Sequence, residues 1–292
     1  MKAKHATLLL SLLLSLPLTA EEDRFAKVEI TPTQLAPSVW LLEGAGGNIG
    51  VSSGDDGILI IDDQFAPLAD KIAAALKATP GAQKSAMPRF IINTHYHGDH
   101  TGGNDHFGKH GTILAHDNVL KRLATDGKTP EGALPVVTFD AGINIRFNGE
   151  TLKVMHLGPG HTDGDSLVIF ERSGVVHMGD LFFKDRFPYI DLDGGGSVIG
   201  YRDNVERALS LISYDDKVIP GHGSLANRAD LLKFKQMLDD SITWAKAAIA
   251  SGKSLEQMQA EGLGEKYQSW SWNFIDEKKW IAILHRDLSA KS

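Results

Sequence analysis

Six consecutive residues, His95-Tyr96-His97-Gly98-Asp99-His100, constrain this chain more than any other stretch. They follow Arg89-Phe90-Ile91-Ile92-Asn93, a short apolar run with the length and flanks of a buried strand. Gly98, Gly102 and Gly103 then mark a sharp turn. The donor-type side chains sit at i, i+2, i+4 and i+5, and glycines interrupt them. That spacing predicts a loop at a strand end rather than a helix. Side chains on such a loop can converge on one point. Imidazole and carboxylate are donors that zinc takes, and a catalytic zinc keeps a position for water. With 12 histidines in 292 residues, such a cluster would arise by chance on the order of once in a thousand chains.

Three later stations repeat the geometry of an apolar run ending in a glycine loop. Leu157-Gly158-Pro159-Gly160-His161 follows a strand-like segment and puts His161 on a Gly/Pro loop. Val175-Val176-His177-Met178-Gly179-Asp180 ends in Asp180, and Val218-Ile219-Pro220-Gly221-His222-Gly223 ends in His222. Each is weak alone, but together they place a ligand-type residue at the tip of every such run. His116, His156 and His177 lie on or beside strands without a glycine loop and read as structural.

The pattern around these stations predicts strands at 39–42, 57–61, 89–93, 112–115, 136–139, 143–147, 152–156, 166–170 and 174–178. Helical periodicity covers 65–78, 117–124 and 202–212, and dominates from Leu225 onward. Strands with helices between and after them, in two halves, suggest two sheets sandwiched by helices. Trp270, Trp272, Phe274 and Trp280 fall in the helical tail. They read as a layer packed on the sheet, with the alternative that one or two border the mouth of a site. Residues Arg186–Gly200, with Phe187-Pro188-Tyr189 and three consecutive glycines, read as a mobile wall over that site.

The first 20 residues carry Lys2 and Lys4 ahead of an apolar run from Ala6 to Leu18, too short to span a bilayer. With a plausible cleavage site at Leu18-Thr19-Ala20, they read as a signal peptide. A short membrane anchor is the other reading. A mature chain from about Glu21 is expected in the periplasm or secreted. Removing the two lysines moves the formal charge from −7 to −9. An acidic chain without basic runs is a poor nucleic-acid partner. The chain has no cysteine, which excludes disulfides, cysteine lipidation and a cysteine nucleophile.

The set H-x-H-x-D-H, followed by His161, Asp180 and His222 on later strand ends, resembles the metallo-β-lactamase superfamily over roughly residues 39–225. The resemblance implies an α/β fold, a four-layer αβ/βα sandwich over residues 21–225. Residues 226–292 would be C-terminal helices on the same domain. It also implies two Zn2+ ions per chain. His95, His97 and His161 would hold one, Asp99, His100 and His222 the other, and Asp180 would bridge them, as in glyoxalase II. Asp62, ending its strand, matches a position that supports the metal loop. Asp99 and Asp180 would act in catalysis, a metal-bridging hydroxide opening an amide or ester carbonyl of a small molecule. Lys184 resembles the lysine that meets the substrate carboxylate in Cys-ligated β-lactamases of this superfamily, with an ordinary surface lysine as the equal alternative. In those enzymes, however, Cys replaces Asp180 and the lysine stands three residues on rather than four. The leading expectation is an exported β-lactamase-like hydrolase. Lactone or thioester hydrolysis is the alternative, and a metal-binding protein without turnover is a second one.

Overall fold

The computed structural model describes residues 24–290. The segment expected to be a signal peptide lies outside them. Two sheets face each other. The first runs β1 (Thr31–Ala36), β2 (Val39–Glu43), β3 (Ile49–Gly54), β4 (Gly57–Ile61), β5 (Phe90–Ile92), β6 (Thr112–His116), β7 (Val137–Phe139), in that spatial order. The second comprises β8 (Gly142–Phe147), β9 (Glu150–His156), β10 (Ser166–Phe170), β11 (Val175–His177), β12 (Lys217–Ile219) and β13 (Ala226–Asn227), ordered 13-12-11-10-9-8.

β4 is apolar throughout because both of its faces are covered. Leu59 and Ile61 point to the space between the sheets, where they meet Val168, Phe170 and Val175. Ile58 and Ile60 point outward onto helix α1 (Ala69–Leu76), against Ile72 and Leu76. This period-two division is what a strand imposes on successive side chains. α1 also provides the crossover that a parallel β4–β5 pair requires. Two one-turn helices follow β5, α2 (Gly98–Thr101) and α3 (Asn104–Phe107), and α4 (Asp117–Thr125) follows β6.

The outer face of the second sheet carries α5 (Val198–Leu211), α6 (Arg228–Ala250), α7 (Leu255–Glu261) and α8 (Glu277–Ser289). α6 starts at a capping box, Asn227 with Asp230. Val176, Val218, Phe234, Trp280 and Leu284 belong to one buried cluster. Truncating a ring such as Phe234 to alanine there would cost about 3–5 kcal/mol. The layers therefore run helix, sheet, sheet, helix. Among the described residues no helix is long and apolar enough to cross a membrane.

β3 is missing from the strands expected from sequence, because Gly50, Ser52 and Ser53 are poor strand formers in isolation. Tertiary packing decides it: a Cβ on Gly50 would lie 2.9 Å from the His177 ring. Asn48, just ahead of β3, bolts the sheets together. Its side-chain amide donates to the carbonyls of Pro220 (2.9 Å) and Gly223 (2.8 Å), and its own carbonyl lies 3.0 Å from His177 Nε2. That junction brings the ends of β4, β5, β11 and β12 to one edge of the sandwich.

Candidate metal centre

All seven donor residues meet at this edge. His95, His97, His161 and Asp180 form one group, with their donor atoms within 4.8 Å of one another; Asp99, His100 and His222 form a second. Asp180 joins them. Its Oδ2 lies 3.8 Å from His95 Nε2 and 3.4 Å from His161 Nε2. Its Oδ1 lies 3.1 Å from His100 Nε2 and 3.4 Å from His222 Nε2. One carboxylate oxygen thus faces each group.

The expectation of a plain loop is corrected in part. His95 lies in a bend and His97 on extended backbone, but Asp99 and His100 fall on the single turn α2. The glycines permit that turn: a Cβ on Gly102 would lie 2.6 Å from the Ala66 backbone nitrogen.

The outer nitrogens of four histidines have partners that set their tautomers. His161 Nδ1 lies 2.7 Å from the Tyr189 carbonyl, which can only accept, so Nδ1 carries the proton. His97 Nε2 faces Asp191 at 3.0 Å, and His100 Nδ1 faces Asp62 at 2.8 Å. Thr94 donates its hydroxyl to Asp62 (2.8 Å), so its oxygen accepts from His95 Nδ1 at 3.0 Å. Each arrangement turns the inner nitrogen toward the centre. His97 Nδ1 lies 3.1 Å from His95 Nε2 and 2.9 Å from His161 Nε2. His100 Nε2 and Asp180 Oδ1 are buried without a hydrogen-bond partner, close but not aligned with each other. Converging ligand atoms and orphaned buried donors fit a pair of divalent cations, and the fixed outer partners are the support such ligands need.

Electrostatics divides the imidazoles. Burial, with His100 next to it, holds His95 well below the usual imidazole range, and burial above all brings His161 down to about 4. At His222 burial opposes the charge, but Asp180 and Asp99 outweigh it and push the ring up to about 9. His100 is raised in the same way, burial being overcome by Asp180, Asp99 and Asp62. Burial also opposes charge on Asp99, yet His100 and His222 hold it down at about 2. His95 and His161 are therefore ready neutral ligands, whereas a cation at the second group displaces protons.

Asp62 sits where a supporting residue belongs. Its other oxygen accepts from the Thr94 backbone N–H at 2.7 Å, so one carboxylate orients Thr94, His95 and His100. Lys184 does not face the centre. Its ammonium donates to the Leu225 carbonyl (2.8 Å) and pairs with Asp230 (3.4 Å), as the reading of an ordinary surface lysine would have it. A fourth residue after Asp180, rather than a third, falls on the side of the chain facing α6. His116, His156 and His177 each bond to backbone.

Sequence reasoning missed Asp191. It accepts from the Tyr96 hydroxyl, faces His97 and takes the Gly194 N–H at 2.8 Å. No local motif marks it. Residues 186–200 do form a wall, but an anchored one: Phe187 and Ile190 are buried, and the Asp191 N–H donates to the His161 carbonyl. The centre opens into a cavity of about 720 Å³ lined by Asp99, Asp180, His97 and His222 together with Phe65, Phe183, Tyr189, Trp272 and Phe274.

A family profile described as the Metallo-beta-lactamase superfamily matches residues 38–222. The chain belongs to that superfamily, a class of metal-dependent hydrolases, and carries a His/Asp metal site. The alpha subunit of 2,4-dinitroanisole O-demethylase from Nocardioides sp. (strain JS1661) is 24% identical over 259 residues, 84% of this chain and 75% of that one. Metallo-beta-lactamase type 2 of Bacillus cereus is 24% identical over 220 residues, 72% of this chain and 82% of that one. Among solved structures, the metallo-beta-lactamase from Pontibacter korlensis shares the fold, with a TM-score of 0.61 at 17% identity over 72% of this chain and 99% of that one.

Proposed function

We propose that this chain is an exported dinuclear zinc hydrolase that opens an ester, lactone or thioester carbonyl of a small molecule. The observation that carries this reading is Asp180, which turns one oxygen to each of two groups whose ligand atoms converge. When bound, two zinc ions supply Lewis acidity and water acidic enough to be a nucleophile near neutral pH. The chain's own residues do the rest. Asp99 turns Oδ2 toward His100 and His222, where with them it would hold the second cation. Asp62, Asp191, Thr94 and the Tyr189 carbonyl hold the imidazoles in place. No serine or cysteine nucleophile is needed. Export rests on Lys2, Lys4 and the apolar run behind them.

β-Lactam opening stands second. The Bacillus cereus relative supports it, but Lys184 is bound to Leu225 and Asp230 and does not offer the expected cation. The test takes protein produced from the full chain, its N-terminus read by mass and its metal counted. An acyl-homoserine lactone, a thioester, a chromogenic cephalosporin and 2,4-dinitroanisole are then offered with and without chelator. Chelator-sensitive turnover of lactone or thioester supports the proposal, and turnover of the cephalosporin alone moves it to the second reading. Two bound zinc ions without any turnover would make the chain a metal-binding protein. His97→Ala and Asp180→Ala are expected to lose metal and activity together.

A further inference from the structure

Five aromatic contacts link the two donor groups in an unbroken arc around the cavity. The ring of His97 lies 5.9 Å from Tyr189, Tyr189 5.4 Å from Phe274, and Phe274 5.6 Å from Trp272. Trp272 lies 6.1 Å from Phe183, which stacks on His222 at 5.1 Å. The arc starts at one donor group and ends at the other. Trp272 and Phe274 lie beyond the residues matched by the family profile, so this part of the wall is carried by the chain's own C-terminal segment.

That segment treats its aromatics in two ways. Trp270 and Trp280 are buried in the helical core, as hydrophobic burial favours. Trp272 is only partly buried, and Phe274 is 52% exposed at the cavity. Their positions are nonetheless fixed. The Trp272 indole N–H donates to the Phe187 carbonyl at 2.9 Å, its backbone N–H to Ile275 at 3.1 Å, and the Arg186 guanidinium lies 5.1 Å from its ring centroid. The Lys279 ammonium holds the Phe274 carbonyl at 2.8 Å. These bonds fix the Trp272 ring and the Phe274 backbone beside the donor groups. Preorganised aromatic faces select planar rings through offset and edge-to-face contacts at centroid separations of about 4.5–7 Å.

We propose that Trp272 and Phe274 determine specificity, and that the substrate is an ester or related acyl compound with an aromatic ring seated against this arc. The proposal rests on the hydrolase reading above for its reaction, but not for its recognition. Two contacts of this kind favour an aromatic ring over a saturated ring of equal size by about tenfold, or about 1.4 kcal/mol.

The experiment uses size-matched pairs, methyl phenylacetate against methyl cyclohexylacetate, with the zinc-loaded protein. The readout is the ratio of kcat/KM within each variant, so a loss of metal or fold lowers both rates and leaves the ratio alone. The wild type is expected to favour the aromatic ester about tenfold, and Trp272→Leu and Phe274→Leu each to bring the ratio toward one. A wild-type ratio near one, or a ratio unchanged in both variants, overturns the proposal. Phe274→Leu, at the more exposed position, guards against a folding defect at Trp272. A second readout needs no turnover: calorimetric binding of phenylacetamide against cyclohexylacetamide in wild type and Phe274→Leu. If the aromatic amide binds preferentially and the preference falls in the variant, recognition stands even where neither ester is hydrolysed, and only the hydrolase reading fails. Equal binding of the two amides overturns the aromatic arc as a recognition device.

Discussion

Asp62 and His100 face each other in the interior, Oδ2 to Nδ1 at 2.8 Å, with neither side chain exposed to solvent. Asp62 adopts a left-handed backbone conformation, φ +65°, uncommon for any residue but glycine and best tolerated by Asn and Asp. The turn at the end of β4 thus aims a carboxylate at the back of a ligand ring. Asp62→Asn keeps the backbone preference and removes the charge. An amide N–H toward His100 Nδ1 would drive the ring proton to Nε2, where it blocks the inner lone pair. Zinc affinity at the Asp99/His100/His222 group is expected to fall about 10–100-fold, read by competition with a chromogenic chelator. Unchanged affinity would remove Asp62 from the support of the site.

Gly47 and Gly221 lie against donor side chains. A Cβ on Gly47 would lie 2.1 Å from His100 Cε1, and one on Gly221 2.0 Å from Asp180 Oδ1. Gly47→Ala and Gly221→Ala are expected to retain far-ultraviolet circular dichroism and lose about 1–3 kcal/mol of stability. They should lower kcat about 100-fold through misplaced ligands. Wild-type kcat in both variants would show that the neighbouring side chains yield freely.

His97 depends on a partner 94 residues away in sequence, the Asp191 carboxylate at 3.0 Å. Asp191→Ala removes the acceptor that keeps the ring proton on Nε2. Metal affinity at the His95/His97/His161 group is expected to drop about 10–100-fold, whereas Tyr96→Phe, which leaves that carboxylate in place, should have a much smaller effect. Isothermal titration of the two variants decides it, and equal losses would assign the effect to Tyr96 as well.

Metal uptake should release protons. Carboxylates that overcome burial raise His222 to about 9 and raise His100 as well, so both rings carry protons at pH 7 before metal binds. Protons should leave as the second donor group fills, and apparent affinity should rise with pH from 7 to 9. The sign for the chelated protein follows from linkage. The folded value at His222 lies above the ordinary imidazole value of about 6.5. Its stabilisation is full below that ordinary value and is lost as pH rises through 9. Titration calorimetry in buffers of different ionisation enthalpy counts the protons, and none released at pH 7 would refute the assignment.

The sequence by itself determined the donor set and the sandwich. Four donor residues lie within six positions, and His161, Asp180 and His222 each follow an apolar run and a glycine turn, so local signals suffice to mark them. The unbroken apolar run of β4 and the helical periodicity of α1 and α6 are equally local. Only the tertiary structure decided which outer partner each ring would find. Asp191 reaches His97, and the Tyr189 carbonyl reaches His161, across loops whose side-chain directions no spacing encodes. Lys184 shows the same dependence: one further residue along the chain turns its ammonium to Leu225 and Asp230 on the α6 side. The strand β3 and the placement of Trp272 and Phe274 at the cavity were likewise settled by long-range packing, since neither Gly50 nor an aromatic tail carries a local signal for its role. Orientation in a folded chain is set by neighbours distant in sequence, whereas donor identity is written residue by residue.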